Sequence, residues 1–210
     1  MKKTVIWDFN GTIIDDVGLC LDIENRMLKE RGMKYGYTIE QYLDMFCFPV
    51  IDYYYKLGYT FEHETYDDIS VEFNELYDRG FLSAPLKEGF MELIRKSIDA
   101  GNKNVILSAT KQDKLRHQTK QLGIAQYFDE ILGIDNLLAG SKIGMAKRWM
   151  EFADVHPDDC MYIGDTLHDL DTAKALGIQN CILVAGGHSS VEVLRQNWDN
   201  VVMSLKEVEL

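Results

Sequence analysis

Positive charge is in short supply in this chain. Its 210 residues carry 22 Lys plus Arg against 34 Asp plus Glu, a formal net charge of −12. A surface charged in this way repels anionic polymers, which argues against nucleic acid or an anionic membrane as the main partner. It leaves small anions open, provided that a cation or local donors meet them. Long hydrophobic runs are also missing, since no apolar stretch approaches the roughly 20 residues that span a bilayer. The cysteines Cys20, Cys47, Cys160 and Cys181 are scattered and show no CxxC spacing. That excludes a zinc knot or redox motif and suits buried free thiols in a reducing compartment. The start, Met1-Lys2-Lys3, mimics a signal peptide, but the apolar stretch is only Val5 to Trp7 before Asp8. A cytoplasmic location is therefore expected. Repeats, low-complexity tracts and Gly/Ser linkers are absent. Hydrophobic residues make up 46% and charged residues 27%, as in ordinary globular chains.

What is present is an alternation. Val5-Ile6-Trp7, Val105-Ile106-Leu107, Met161-Tyr162-Ile163 and Ile182-Leu183-Val184 are short apolar runs, each followed by small or polar residues. Such runs suit strands covered on both faces. Ile131-Leu132-Gly133-Ile134 and Val201-Val202-Met203 are further strand candidates. Helical patterns lie between them: 86–100, 111–122 and 167–176, each followed by a glycine that takes the left-handed stop conformation at low cost. Strand alternating with helix predicts an α/β fold, a Rossmann-like doubly wound parallel sheet.

Residues 15–83 break the alternation. Leu19, Ile23 and Met27 recur at steps of four, Thr38-Ile39-Glu40-Gln41 forms a capping box, and 69–77 repeats the helical pattern. Tyr53-Tyr54-Tyr55 is a strand candidate within it. The expected organisation is an α/β core from 1–14 and 84–210, with a mainly helical insert over 15–83.

In a doubly wound sheet, ligands bind beyond the carboxyl ends of the strands. The residues there are Asp8, Asn10, Gly11 and Thr12 after the first run, Ser108-Ala109-Thr110 after the second, and Gly164-Asp165-Thr166-Leu167-His168-Asp169 after the third. Crowded carboxylates repel one another and call for a cation. Oxygen ligands of this type suit Mg²⁺, which keeps several waters and accepts a substrate phosphate.

Asp8-Phe9-Asn10-Gly11-Thr12, Ser108, Lys142 and Gly164-Asp165-x-x-x-Asp169, in that order, resemble the motifs of the haloacid dehalogenase (HAD) superfamily, over essentially the whole chain. The helical insert resembles the cap of its phosphoglycolate-phosphatase-like branch. The resemblance implies a Mg²⁺-dependent phosphatase acting on a small phosphorylated metabolite. Asp8 would attack phosphorus and form an aspartyl-phosphate. Asp8, the backbone carbonyl of Asn10 and Asp165 would hold Mg²⁺, with Asp169 a second carboxylate acting directly or through water. Ser108, Ala109 and Gly11 would bind the phosphoryl oxygens, with backbone N–H groups at a helix start assisting. Lys142, 23 residues before Asp165, would neutralise the nucleophile, and Lys147 is the competing choice. His168 and His188 read as surface or capping residues. A monomer or a weak homodimer is expected.

One position departs from the pattern. Family phosphatases carry a second aspartate two residues after the nucleophile, to protonate the leaving alcohol and activate water. Asn10 stands there, and an amide cannot exchange a proton near neutral pH. General acid–base catalysis is worth ~10²–10⁴-fold, so slowed hydrolysis is expected. The competing readings are a phospholigand-binding or regulatory protein with little turnover, and a haloacid dehalogenase, which would not need Asp165 and Asp169. In the insert, Arg26, Lys29, Arg31, Lys34 and Lys56 are candidates to meet a second anionic group. Phe46-Cys47-Phe48-Pro49 and Tyr53-Tyr54-Tyr55 either line a substrate face or pack the lid.

Overall fold

A computed structural model describes residues 3–134 and 142–210. Six strands, β1 (Thr4–Trp7), β2 (Lys103–Lys111), β3 (Glu130–Ile134), β4 (Cys160–Gly164), β5 (Cys181–Val184) and β6 (Val201–Val202), form one sheet in the order β3-β2-β1-β4-β5-β6. Every pairing is parallel. This is the doubly wound α/β arrangement that the apolar runs predict. β1 lies between β2 and β4, and Trp7 pairs with both Ile106 and Ile163. That register aligns the carboxyl ends of the three strands that carry the motifs.

Alternate residues of each strand feed different layers. Val5, Trp7, Ile106 and Ile163 face a cluster that also takes in Tyr42, Tyr54 and Tyr77 from the insert. Ile6, Leu107, Tyr162 and Leu183 face the opposite cluster, with Ala146 and Leu170 from the helices covering it. Burying one such side chain is worth about 1.5–3 kcal/mol, which makes the two-sided coverage of short strands the main source of stability. Trp7 is fully buried, packs edge-on against Phe90 at 5.7 Å and donates its indole N–H to Asn104.

The insert contributes α1 (Val17–Glu30), α2 (Ile39–Met45), α3 (Val50–Leu57) and α4 (Tyr66–Gly80). The capping box at Thr38 and Gln41 is formed, and Thr65 and Asp68 form another. The tyrosine run 53–55 lies in α3, not in a strand. Pro49 at its N-cap and the left-handed Gly58 at its C-cap bound a helix, and these end signals override the β preference of tyrosine.

In the core follow α5 (Phe90–Asp99), α6 (Gln112–Gln121), α7 (Lys142–Phe152), α8 (Leu167–Ala175) and α9 (Val191–Asn197). Helix α5 starts later than the pattern over 86–100 suggests, because Lys87 to Gly89 form a turn closed by a bond from the Phe90 N–H to the Lys87 carbonyl. The four cysteines are free, and Cys47 is half-buried while the others are buried. Among the described residues, no helix is long and apolar enough to cross a membrane.

Candidate active site

The parallel register does the positioning. The Asp8 N–H donates to the Ile163 carbonyl at 2.8 Å, extending the β1–β4 ladder, so Asp8 and Asp165 leave neighbouring strands at the same edge. Asp165 is packed between two glycines. A Cβ on Gly11 or on Gly187 would sit 2.2 Å from its Oδ2, and Gly11 also has a φ of +75°. Only a backbone without side chains approaches a carboxylate this closely. The Asp165 oxygens accept from the Thr12 hydroxyl at 2.8 Å and from the His188 N–H at 2.7 Å.

Lys142 opens α7 and reaches back across the edge. Its ammonium donates to Asp8 Oδ1 at 2.8 Å and to Asp169 Oδ1 at 2.5 Å. Asp169 is held from both sides. Its Oδ2 accepts the Thr166 N–H at 3.0 Å and the Thr166 hydroxyl at 2.7 Å, which caps α8, and Tyr162 donates to its Oδ1 at 3.2 Å. A carboxylate that both caps a helix and grips Lys142 sets the position of that ammonium. Burial alone would lower the lysine pKa, but Asp169 and Asp8 together hold it well above its ordinary value. Burial likewise pushes Asp169 up, and Lys142 outweighs it, so that carboxyl stays below its ordinary range. Lys147, the competing choice, is exposed on α7.

Negative charge still exceeds positive charge here. Asp8, Asp165 and Asp169 are buried and offer oxygens within 4.8 Å of one another, and the one ammonium among them pairs with Asp8 and Asp169. Burial first, then Asp169, keeps the Asp8 carboxyl well above the ordinary carboxylate range. Burial also raises Asp165 to about 6 against the pull of His188. Buried oxygen donors carrying excess negative charge fit a hard divalent cation such as Mg²⁺, and Asp8 and Asp165 have oxygen lone pairs to spare for it.

A second charged cluster lies beside the first, around Asp16. This carboxylate is fully buried and accepts from the Gly11 N–H at 2.8 Å, from Asn10 Nδ2 at 2.8 Å and from the Tyr77 hydroxyl at 2.7 Å. His188 Nε2 lies 3.1 Å from its other side, and His188 Nδ1 lies 2.7 Å from the Tyr42 hydroxyl. Burial would push Asp16 up, but His188, Tyr77 and Asn10 bring it down to about 2. Burial would likewise lower His188, but Asp16 and the hydrogen bond between them carry it up to about 9. Both shifts favour the imidazolium–carboxylate form of the pair. Asn10 is locked into this cluster: Nδ2 donates to Asp16 and Tyr77, and Oδ1 accepts from the Thr110 hydroxyl at 3.1 Å.

Two expectations are placed more finely and one needs correction. Ser108 and Ala109 lie inside β2, which runs to Lys111 with a register shift between Leu107 and Lys111, and α6 opens directly after it at Gln112. The Gly11 N–H is committed to Asp16 rather than turned toward a phosphate. His188 is neither a surface nor a capping residue but a buried link between Asp16 and Tyr42. His168 is half-buried and stacks on Phe48 at 4.5 Å. Burial, then Lys142, lowers its pKa.

A cavity of about 770 Å³ opens over this edge. Asp8, Asn10, Ser108, Ala109, Lys142 and Asp165 line its floor. The insert supplies the opposite side with Phe46, Phe48, Tyr53, Tyr66 and Phe73. The five insert cations are not among the lining residues. Arg31 pairs with Glu64 and Glu72, and Arg26 with Glu30. Lys29 and Lys34 lie over Tyr35 and Tyr37. Lys56 donates to the Met45 carbonyl and to Cys47.

With this geometry, comparison with known proteins is decisive at the level of the family. Residues 5–183 match the profile of the haloacid dehalogenase-like hydrolases. The chain belongs to that family. Phosphoglycolate phosphatase of Vibrio vulnificus is 22% identical over 215 residues, covering 98% of this chain and 94% of that protein. Phosphoglycolate phosphatase of Neisseria gonorrhoeae is 26% identical, covering 98% and 91%. A crystal structure described as a predicted phosphatase from Clostridium acetobutylicum superposes with a TM-score of 0.81 at 22% identity, over 99% of this chain and 96% of that one. The phosphoglycolate-phosphatase-like resemblance and the HAD-like core thus hold.

Sequence reasoning missed Asp16, Tyr42 and Tyr77, and set His188 aside. For Asp16 a signal existed in the acidic pair Asp15-Asp16 shortly after the first motif, and for His188 in the Gly186-Gly187 turn after β5. Nothing in the sequence marks Tyr42 or Tyr77 apart from the other tyrosines of the insert.

Proposed function

We propose that the protein is a magnesium-dependent phosphatase that hydrolyses a small phosphomonoester through an aspartyl-phosphate on Asp8. The observation that carries this reading is the buried Asp8–Lys142–Asp169 bridge beside Asp165 at one sheet edge. The phosphatase names of the relatives support it. Asp8, the backbone carbonyl of Asn10 and Asp165 would hold Mg²⁺, which when bound offsets the charge of the phosphoryl group.

The chain's own groups supply the rest. Lys142 and Ser108 hold phosphoryl oxygens while Asp8 attacks phosphorus. A bond forms between the Asp8 oxygen and phosphorus, and the bond to the leaving alcohol breaks. Water then attacks phosphorus, inorganic phosphate leaves, and Asp8 is regenerated. Residues 15–83 act as the cap that closes over the reaction and excludes water. Both steps benefit from a residue that exchanges a proton, and Asn10 cannot. Its amide is engaged by Asp16 and Tyr77, which fixes its orientation without giving it a titratable group. Good leaving groups, which need no proton, are therefore favoured, and the intermediate outlives the alcohol.

Asn10 also supports a second reading, a phospholigand-binding protein with little turnover. Phosphate release from an aryl phosphate separates the two. The phosphatase releases phosphate with Mg²⁺ and loses this in Asp8→Asn. A binder is stabilised thermally by the ligand and releases nothing. A haloacid dehalogenase, a third reading, has no use for Asp165 and Asp169 beside the nucleophile.

A further inference from the structure

The insert side of the cavity is built against negative charge. Among the described residues lining the cavity, no lysine, arginine or histidine comes from 15–83. The segment 135–141, Asp-Asn-Leu-Leu-Ala-Gly-Ser, contains no cationic residue either. The titratable side chains the insert does present, tyrosines aside, are carboxyls and one thiol: Asp16, Cys20, Glu24, Asp67, Glu75 and Asp78. Between them lie the rings of Phe46, Phe48, Tyr53, Tyr66 and Phe73.

The core cations that reach the cavity are mostly engaged. Lys142 holds Asp8 and Asp169, and His188 holds Asp16. Lys114 donates to Asp78 at 2.7 Å and to Asn74 at 2.9 Å. Lys111, at the exposed end of β2, also lines the cavity, and it comes from the core rather than from the insert.

Glu24 gives an independent indication. It lies two turns beyond Asp16 on α1, about 12 Å along the helix. It lines the cavity, is 3% exposed, and its Oε2 has no hydrogen-bond partner. A buried carboxyl oxygen left unpaired costs about 1–3 kcal/mol, which a ligand donor would recover. Burial pushes this carboxyl up to about 8. Near neutral pH a carboxyl held this high is largely protonated, so it offers hydrogen bonds to a ligand but no positive charge to a second carboxylate.

The cavity volume, 770 Å³, falls in the range of about 300–1,000 Å³ typical of pockets for drug-sized ligands. A two-carbon acid would leave most of it unfilled.

We propose that the leaving alcohol of this enzyme is an uncharged, largely apolar one carrying an aromatic or comparably bulky body, and that carboxylate-bearing phosphates such as phosphoglycolate are poor substrates. This rests on the phosphatase reading above. The cavity's rings contact the body of the alcohol, and Glu24 accepts from a hydroxyl or amine at its far end. Selectivity against a carboxylate comes from the absence of a cation on the insert side.

The test compares benzyl phosphate with 4-carboxybenzyl phosphate, whose scissile ends are alike, and with phosphoglycolate. It also measures thermal stabilisation by benzylphosphonate and 4-carboxybenzylphosphonate, which cannot be hydrolysed. Benzyl phosphate should exceed both carboxylates in kcat/KM by about tenfold or more, chiefly through KM. Benzylphosphonate should stabilise the protein more than its carboxylated counterpart. Val71→Arg, which places a cation among the lining residues of α4, should narrow the gap. If neither the three esters nor an aryl phosphate is hydrolysed but benzylphosphonate still stabilises selectively, the phosphatase reading fails and the selectivity stands. If phosphoglycolate or 4-carboxybenzyl phosphate is preferred, the phosphatase stands and the proposal is overturned; loss of that preference in Lys111→Ala would identify the cation responsible. Equal binding of both phosphonates, or binding of neither, also overturns the proposal.

Discussion

Lys142 and His188 are both buried cations at the same sheet edge, each facing aspartates, and they serve different neighbours. Lys142 bridges Asp8 and Asp169, within the core, and its position is set by a carboxylate that also caps α8. His188 bridges Asp16 and Tyr42, and through Asp16 it reaches Tyr77 and Asn10. Two of those partners, Tyr42 on α2 and Tyr77 on α4, belong to the insert. One cation thus serves the nucleophile, and the other joins the insert to the loop that carries the nucleophile. The comparison teaches that a buried charge at an active-site edge need not meet substrate, and that its partners, not its position, indicate its task.

That contrast can be broken by removing each cation in turn. Lys142→Met should lower kcat/KM for an aryl phosphate by about 10³-fold, the scale of losing a preorganised charge donor at a transition state. Steady-state kinetics checks it. His188→Leu should act on stability first: leaving Asp16 buried without its charge partner costs about 3 kcal/mol. In a chain of this size that corresponds to a fall of about 6–12 °C in Tm, read by calorimetry. If His188→Leu instead matched Lys142→Met in kinetics with no loss of stability, the division of labour drawn here would be wrong.

Asn10→Asp sharpens the contrast, because it places a new carboxylate against Asp16, where Asn10 Nδ2 now donates at 2.8 Å. Two carboxylates so close share a proton, and one of them stays protonated near neutral pH. That proton is what a poor leaving group needs. Hydrolysis of an alkyl phosphate should rise about tenfold more than that of an aryl phosphate, within the range for general acid catalysis. An equal effect on both esters, or none, would count against this account of Asn10. Mass spectrometry of the starting protein guards the comparison, since Asn10-Gly11 is a deamidation-prone sequence.

The smallest effect is one of pH. His188 titrates at about 9 in the folded chain against an ordinary 6.5, and Glu24 at about 8 against 4.5. In both, the folded state binds more protons than the unfolded state between the two values. Each contribution is complete below the lower value and is lost as pH rises through the upper one. In chelator-containing buffer, Tm should fall from about pH 4.5 to about pH 9, with Glu24 contributing over the lower part and His188 over the upper. Glu24→Gln should flatten the part of this fall below pH 8, and a profile unchanged by that substitution would remove Glu24 from the account.

The core was readable because its signals are local. Val5-Ile6-Trp7 before Asp8 and Met161-Tyr162-Ile163 before Asp165 announce strand and strand-end in one stretch, and the parallel register then brings the two aspartates together. Lys142 could be reached through its distance in sequence from Asp165. Tyr42 and Tyr77 have no such signal, and those of Asp16 and His188 do not show what the two residues meet. Tyr77 meets Asp16 across 61 positions and His188 meets Tyr42 across 146, so only the packing of the insert on the core unites them. The five insert cations misled in the opposite way: positive charge in a lid suggests anion recognition, but acidic and aromatic neighbours within the insert hold most of it away from the cavity. Helix α3 was obscured by the β preference of its tyrosines, although Pro49 and Gly58 mark its ends.

The mechanism turns on whether Asp8 carries the phosphoryl group. Because Asn10 cannot activate water, the aspartyl-phosphate should accumulate during turnover of an aryl phosphate with Mg²⁺. Acid quenching followed by borohydride reduction converts an acyl phosphate to the alcohol, so peptide mass spectrometry should find homoserine at position 8. Homoserine at no position, from a protein that releases phosphate at the same time, would mean that Asp8 is not the nucleophile.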